Sequence, residues 1–203
     1  MRRGGERSSQ RYAEWKSTRP DGFNVDFFKA CWDIVKLDIV NVVEDSRVNK
    51  SILKALNTFF ISLIPKQETT QTADKYRPIA LCNVLYKIIS KLVANRLKPL
   101  LPKLVSEEQS GYVEGRKILD NIIQAHEVVH SLKSKKQAGM IMQLDIAKVY
   151  DKVNWGYIKK ILITFGFDHN CIRWVMALVT TSSFSILVNG SPSAIFIPSR
   201  GLR

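Results

Sequence analysis

Apolar residues recur along this chain with two different periods. Phe23, Phe27, Cys31, Ile34 and Val35 follow the turn signal Pro20-Asp21-Gly22 at the spacing of one helix face. A further apolar segment, 52–64, ends at Pro65-Lys66, and the polar stretch 67–74 reads as a loop. Asn83 is placed to cap a helix over 84–98 that Pro99 ends. On that helix Lys87, Lys91, Asn95 and Lys98 gather on one side, with Leu85, Ile88, Ile89 and Leu92 on the other. The row Ile118, Ile122, Ala125, Val129, Leu132 predicts a helix over 118–133, and the apolar run 140–144 reads as a short buried strand delivering Asp145 at its end. Trp155, Ile158, Leu162 and Phe165 mark the next helix, capped by Asn154 and stopped by Gly166. A helix over 171–181 then precedes a hairpin, with strands at 184–188 and 194–197 around the turn Asn189-Gly190. Helices first, then strand, helix, helix and two strands point to an α+β fold.

Composition narrows the class. With 203 residues, 45% of them apolar, the chain can bury a core, and its 10 Gly and 7 Pro follow no period. Cys31, Cys82 and Cys171 are odd in number and far apart, which excludes a disulfide scaffold and suits a reducing compartment. Residues 1–18 read as a basic, disordered tail with no apolar run behind it, so it is no secretory signal. The uncharged stretch 174–199 fails as a membrane span because Thr180 to Ser183 and Asn189-Gly190-Ser191-Pro192 interrupt it. A soluble intracellular protein of nucleus or cytoplasm is expected, neither secreted nor membrane-bound. The net charge of +13 is concentrated: between Ser46 and Leu104 eleven Lys or Arg face only Glu68 and Asp74. Such a run is either a solvated surface or a phosphate-binding face.

Two motifs compete for the chemistry. His126-Glu127-Val128-Val129-His130 matches the helical zinc-protease pattern, in which imidazoles one turn apart hold the metal and the Glu activates water. A zinc metalloprotease also needs a third protein ligand; no Glu follows Glu127, and His169 sits in a loop-like setting. The other candidate is Leu144-Asp145-Ile146-Ala147-Lys148-Val149-Tyr150-Asp151. A carboxylate at a strand end, followed by irregular backbone, suits a hard cation such as Mg²⁺, though one Asp taken alone there is more often a cap or turn residue.

Several blocks in order resemble the reverse transcriptase domain of LINE-type non-LTR retrotransposons, of the sort abundant in plant genomes. They are PDGFNVDFFKACWDIVK (20–36), ISLIPK (61–66), the long block from YRPIALCNVLYKIISK to AHEVVH (76–130), MQLDIAKVYDKVNW (142–155) and ILVNGSPSAIFIPSRGLR (186–203). The resemblance implies a right-hand polymerase fold, with helix-rich fingers over 19–138 and a partial palm over 139–203. It implies an RNA template, a DNA primer, deoxynucleoside triphosphates and Mg²⁺ as partners and cofactor. By the resemblance Asp145 is the first metal-binding, catalytic aspartate, with the Ile146 backbone beside the same metal, and Tyr150 packs under the incoming sugar. Arg77, and more weakly Lys66, matches the triphosphate-contacting cations, where a guanidinium fork suits phosphate oxygens. Gln109, Ser110, Gly111 and Arg116 match a block near the template, and Lys87, Lys91 and Lys98 lie on a fingers helix. The His126–His130 stretch is a framework helix in that family.

Two-metal nucleotidyl transfer needs more than one carboxylate. The family supplies the others mainly from a Tyr-x-Asp-Asp hairpin, and this sequence holds no Asp-Asp pair. The expectation is a fragment, with catalytic hairpin and thumb missing, inactive as this chain and aggregation-prone at its unpaired apolar strand. The alternative is a residual nucleic-acid-binding module without catalysis.

Overall fold

A computed structural model describes residues 19–68, 72, 75–136, 138–146 and 148–202. The basic tail over 1–18 and part of the 67–74 loop lie outside the described residues. The chain divides into two units, one of residues up to Ser90 together with those from Val149 onward, the other Lys91–Lys148.

The first unit is built on a four-stranded sheet. Its helices α1 (Val25–Ala30) and α2 (Trp32–Asn49) come from the first helical pattern, which breaks at Cys31. Asn24 caps α1 by accepting from the Phe27 N–H at 2.8 Å. Strands β1 (Thr58–Pro65) and β2 (Tyr76–Cys82) form an antiparallel hairpin, and β1 also pairs in parallel with β3 (Ser183–Val188). The sheet order is β2-β1-β3-β4, with β4 at Ser191–Pro192. The β1–β2 hairpin corrects the expectation that helices fill the first half. Pro78 within a run argues against a strand, yet on the edge strand β2 its missing N–H breaks no ladder.

Phe59 and Ile61 point from β1 into the core and are buried. The Phe59 ring meets Tyr86 edge-on at 4.8 Å and Phe184 at 5.2 Å. Trp174 Nε1, from the chain's later half, donates to the buried Ser46 hydroxyl at 2.8 Å, tying α2 to this core. Asn83 does more than start a helix. Fully buried, its amide donates to the Ala55 and Leu56 carbonyls at 2.9 and 3.2 Å, and its Oδ1 accepts from the Asp21 N–H at 3.3 Å. After it runs α3 (Val84–Leu97), which ends just before Pro99 as expected; a 3₁₀ turn, Lys98–Leu100, then leads into the short α4 (Leu101–Leu104).

In the second unit α5 (Ile118–Ser134) matches the predicted helix. The predicted strand at 140–144 is not there: residues 138–146 have neither helix nor strand, and Met140, Ile141, Met142 and Leu144 are exposed. An apolar run specifies a buried strand only where a neighbour pairs with it, and among the described residues no strand does.

Back in the first unit come the short α6 (Val149–Lys152), then α7 (Trp155–Thr164) and α8 (His169–Thr180), which pack on each other. Asn154 caps α7 and Gly166, at φ 75°, follows its end as predicted. Asp168 caps α8. The last hairpin turns at Asn189 and Gly190, both with positive φ, as a two-residue turn demands. Its return strand differs from the predicted 194–197. Val188 and Leu187 pair with Ser191 and Pro192, but Phe184 pairs with Phe196, so one extra residue bulges out between them. The Ser185 hydroxyl fills the bulge by donating to the Ser193 carbonyl at 2.6 Å.

Candidate nucleotide and nucleic-acid site

The β1–β2 register brings the two predicted triphosphate cations together. Arg77 lies directly across from Ile64, so both side chains stand on one sheet face, opposite Phe59 and Ile61. Lys66, two residues beyond Ile64, continues that face, and its N–H donates to the Lys75 carbonyl at 2.9 Å, extending the ladder. Lys66, Lys75 and Arg77 thus crowd one face of an exposed hairpin tip. Three cationic donors on one face suit an anion with several oxygens.

Along α3 the exposed Lys87 and Lys91 are one turn apart, while Ile89 is fully buried. Lys98 is exposed too, but it pairs with Glu114 at 3.5 Å.

Four backbone carbonyls converge on Arg116. Its guanidinium donates to Pro102 and Val105 at 3.1 Å each, to Gln109 at 2.8 Å, and to Ser106. Two of these belong to the end of α4, whose last carbonyls have no partner within the helix. Arg116 therefore braces the turn that presents Gln109, buried Ser110 and Gly111, and Asn121 adds a bond to the Glu108 carbonyl at 2.8 Å. The Glu108 carboxyl is held below the usual range by its own backbone N–H and the Ser106 hydroxyl.

Sequence reasoning missed a clasp around Tyr150. The Tyr150 carbonyl accepts from the Leu202 N–H at 2.7 Å, the Val153 carbonyl from the Gly201 N–H at 2.8 Å, and Trp155 Nε1 donates to the Gly201 carbonyl at 2.7 Å. Gly201 has φ 93°, and a Cβ there would stand 3.0 Å from the Asp151 carbonyl oxygen. The one available signal was a glycine between Arg200 and Leu202, compatible with many turns. Beside the clasp a cleft of about 120 Å³ is lined by Phe59, Tyr86, Asp151, Phe196 and Arg200 among others. The Tyr86 hydroxyl donates to the Leu178 carbonyl at 3.3 Å, and burial first, then the neighbouring Cys82, pushes its pKa up to about 12. Tyr150 itself is 54% exposed.

Asp145 and Ile146 lie in the irregular, exposed stretch before Lys148. Among the described residues no three His, Cys, Asp or Glu side chains gather as a metal cluster. Asp145 offers one carboxylate, so the described residues supply only part of a divalent-cation site. The same finding disfavours zinc at His126, Glu127 and His130, all exposed on α5. No helix among the described residues is long and apolar enough to cross a membrane.

Residues 64–203 match the reverse transcriptase (RNA-dependent DNA polymerase) family. Over 188 residues the chain is 26% identical to the transposon TX1 uncharacterized 149 kDa protein of Xenopus laevis, covering 93% of this chain and 14% of that protein. Identity is 23% to the retrovirus-related Pol polyprotein from type-1 retrotransposable element R2 of Popillia japonica, over 70% of this chain and 20% of the relative. Against the corresponding polyprotein from type-2 retrotransposable element R2DM of Drosophila melanogaster it is 22%, over 92% and 17%. The chain spans a fifth or less of the length of these relatives. The matched family, over most of the chain, and these retrotransposon relatives agree: the chain belongs to the reverse transcriptase family, as a fragment of the non-LTR retrotransposon kind.

Proposed function

We propose that this chain is the fingers, over 19–138, and part of the palm, over 139–203, of an RNA-directed DNA polymerase. Its partners are an RNA template, a DNA primer and deoxynucleoside triphosphates. The carrying observation is the β1–β2 register, which aligns Lys66 and Arg77 on one face where a triphosphate's oxygens take both cations. Lys87 and Lys91 hold the nucleic-acid backbone from α3, with Lys98 already engaged by Glu114. Gln109, Ser110 and Gly111 meet the template on the turn that Arg116 braces. Tyr150 stands beneath the incoming sugar. Reverse transcriptases use divalent metal ions, and Mg²⁺ with Asp145 and the Ile146 backbone belongs to this reading. Among the described residues the carboxylates make up no complete site for that metal. The protein is proposed to work inside the cell, in nucleus or cytoplasm.

A second reading is nucleic-acid binding without catalysis, through the exposed Lys87 and Lys91 of α3. One experiment serves both. Anisotropy of a labelled RNA-template/DNA-primer hybrid should show affinity falling with salt, and K87A/K91A should flatten the log–log slope by about 1.4 to 1.8. Asp145→Ala should leave binding unchanged. A salt-independent affinity would defeat both readings, while primer extension by the 203-residue chain, lost on Asp145→Ala, would exclude the second.

A further inference from the structure

Between α7 and α8 lies a groove of about 510 Å³ that belongs to none of the features above. It runs past the end of α2, and its lining is Ile52, Ile163 and Met176 among other apolar and small side chains, bordered by Lys50, Lys159 and Arg173. No carboxylate lines it, and its one ring is the His169 imidazole. Ile163 is 57% exposed, an aliphatic side chain held in water at the helix surface. Lys159 and Ile163 sit one turn apart on α7, and Arg173, Met176 and Thr180 follow one another along a single face of α8.

We propose that this groove docks an acidic amphipathic helix of a partner protein. A trough between two packed helices takes the ridge of a third, and the aliphatic floor supplies the burial. The three cations select carboxylates on the flanks of that helix. A nucleic-acid strand fits less well, because it wants a row of aromatic platforms for successive bases and donors along its whole backbone, where this groove offers the single His169 ring and cations only at its border. The inference does not depend on the polymerase reading.

The test uses the 203-residue chain and a fluorescein-labelled peptide about five turns long, with Leu on one face and Glu on both flanks. A scrambled peptide of equal composition measures attraction to the +13 charge alone. The Leu/Glu peptide should bind at least about tenfold tighter than the scrambled one, and K159E/R173E should erase that advantage. The reversed variant should instead favour a Leu/Lys peptide. Ile163→Ser, at an exposed position, should weaken the Leu/Glu peptide about threefold while leaving thermal melting unchanged, and it carries the test if the double variant melts early. Equal binding of ordered and scrambled peptides, or no loss in the variants, would overturn the proposal. So would a single-stranded RNA that loses as much affinity in K159E/R173E as the peptide does.

Discussion

At the residue scale, Gly201 and Tyr86 are under the tightest local control. An alanine at 201 meets the Asp151 carbonyl oxygen at 3.0 Å and must hold φ 93°, whereas at Gly190, φ 79°, a Cβ meets nothing within 4 Å. Gly190→Ala should therefore cost about 1 kcal/mol of strain and Gly201→Ala about 3, a difference that parallel denaturant melts will read. Equal losses would mean that the clasp from Tyr150 to Trp155 yields to the new methyl. Tyr86 imposes a pH dependence. Its folded pKa of about 12 lies above the ordinary value of 10, so its contribution is full below pH 10 and is lost as pH rises toward 12. Tyr86→Phe, which also gives up the bond to Leu178, should cost about 1 kcal/mol at pH 8, and its deficit should shrink between pH 10 and 12. A deficit constant with pH would show that the phenol titrates as freely folded as unfolded.

Elements differ in how much of them could be read from the chain. Helices α5 and α7 were legible because their signals are local: an apolar row in each, with the Asn154 cap and Gly166 stop for α7. The Asn189-Gly190 turn was legible for the same reason, but the bulge after it was not, since it depends on the Ser185–Ser193 contact across the hairpin. The β1–β2 pair hid behind Pro78, which is harmless only once β2 is known to be an edge. The run at 140–144 failed the opposite way: its composition is that of a central strand, and pairing is not encoded in one segment. For the site, resemblance named Arg116 but not its task, which only the four converging carbonyls reveal. Arg116→Ala should destabilise the turn by about 2 kcal/mol and raise amide exchange across 102–121. Lysine, lacking the fork, should restore less than half. Unchanged exchange in the alanine variant would place the guanidinium in a different role.

Across the whole molecule, charge and exposed apolar surface pull in opposite directions. A net +13 keeps copies apart through long-range repulsion, yet Met140, Ile141, Met142, Leu144 and Ile146 are each at least 66% exposed within seven residues. A run of that composition is a template for pairing with a second chain, and only the electrostatic barrier opposes it. That barrier is screened over about 8 Å at physiological ionic strength and about 3 Å at 1 M. Self-association should therefore rise with salt, the reverse of the nucleic-acid affinity predicted above. Ile141→Lys with Met142→Lys should suppress the light scattering at high salt without shifting the melt of the sheet-bearing unit, because that segment contributes no strand to it. Scattering that falls with salt, or that the two lysines leave untouched, would locate the sticky surface elsewhere, with the exposed apolar side chains of α2 and α5 next in line.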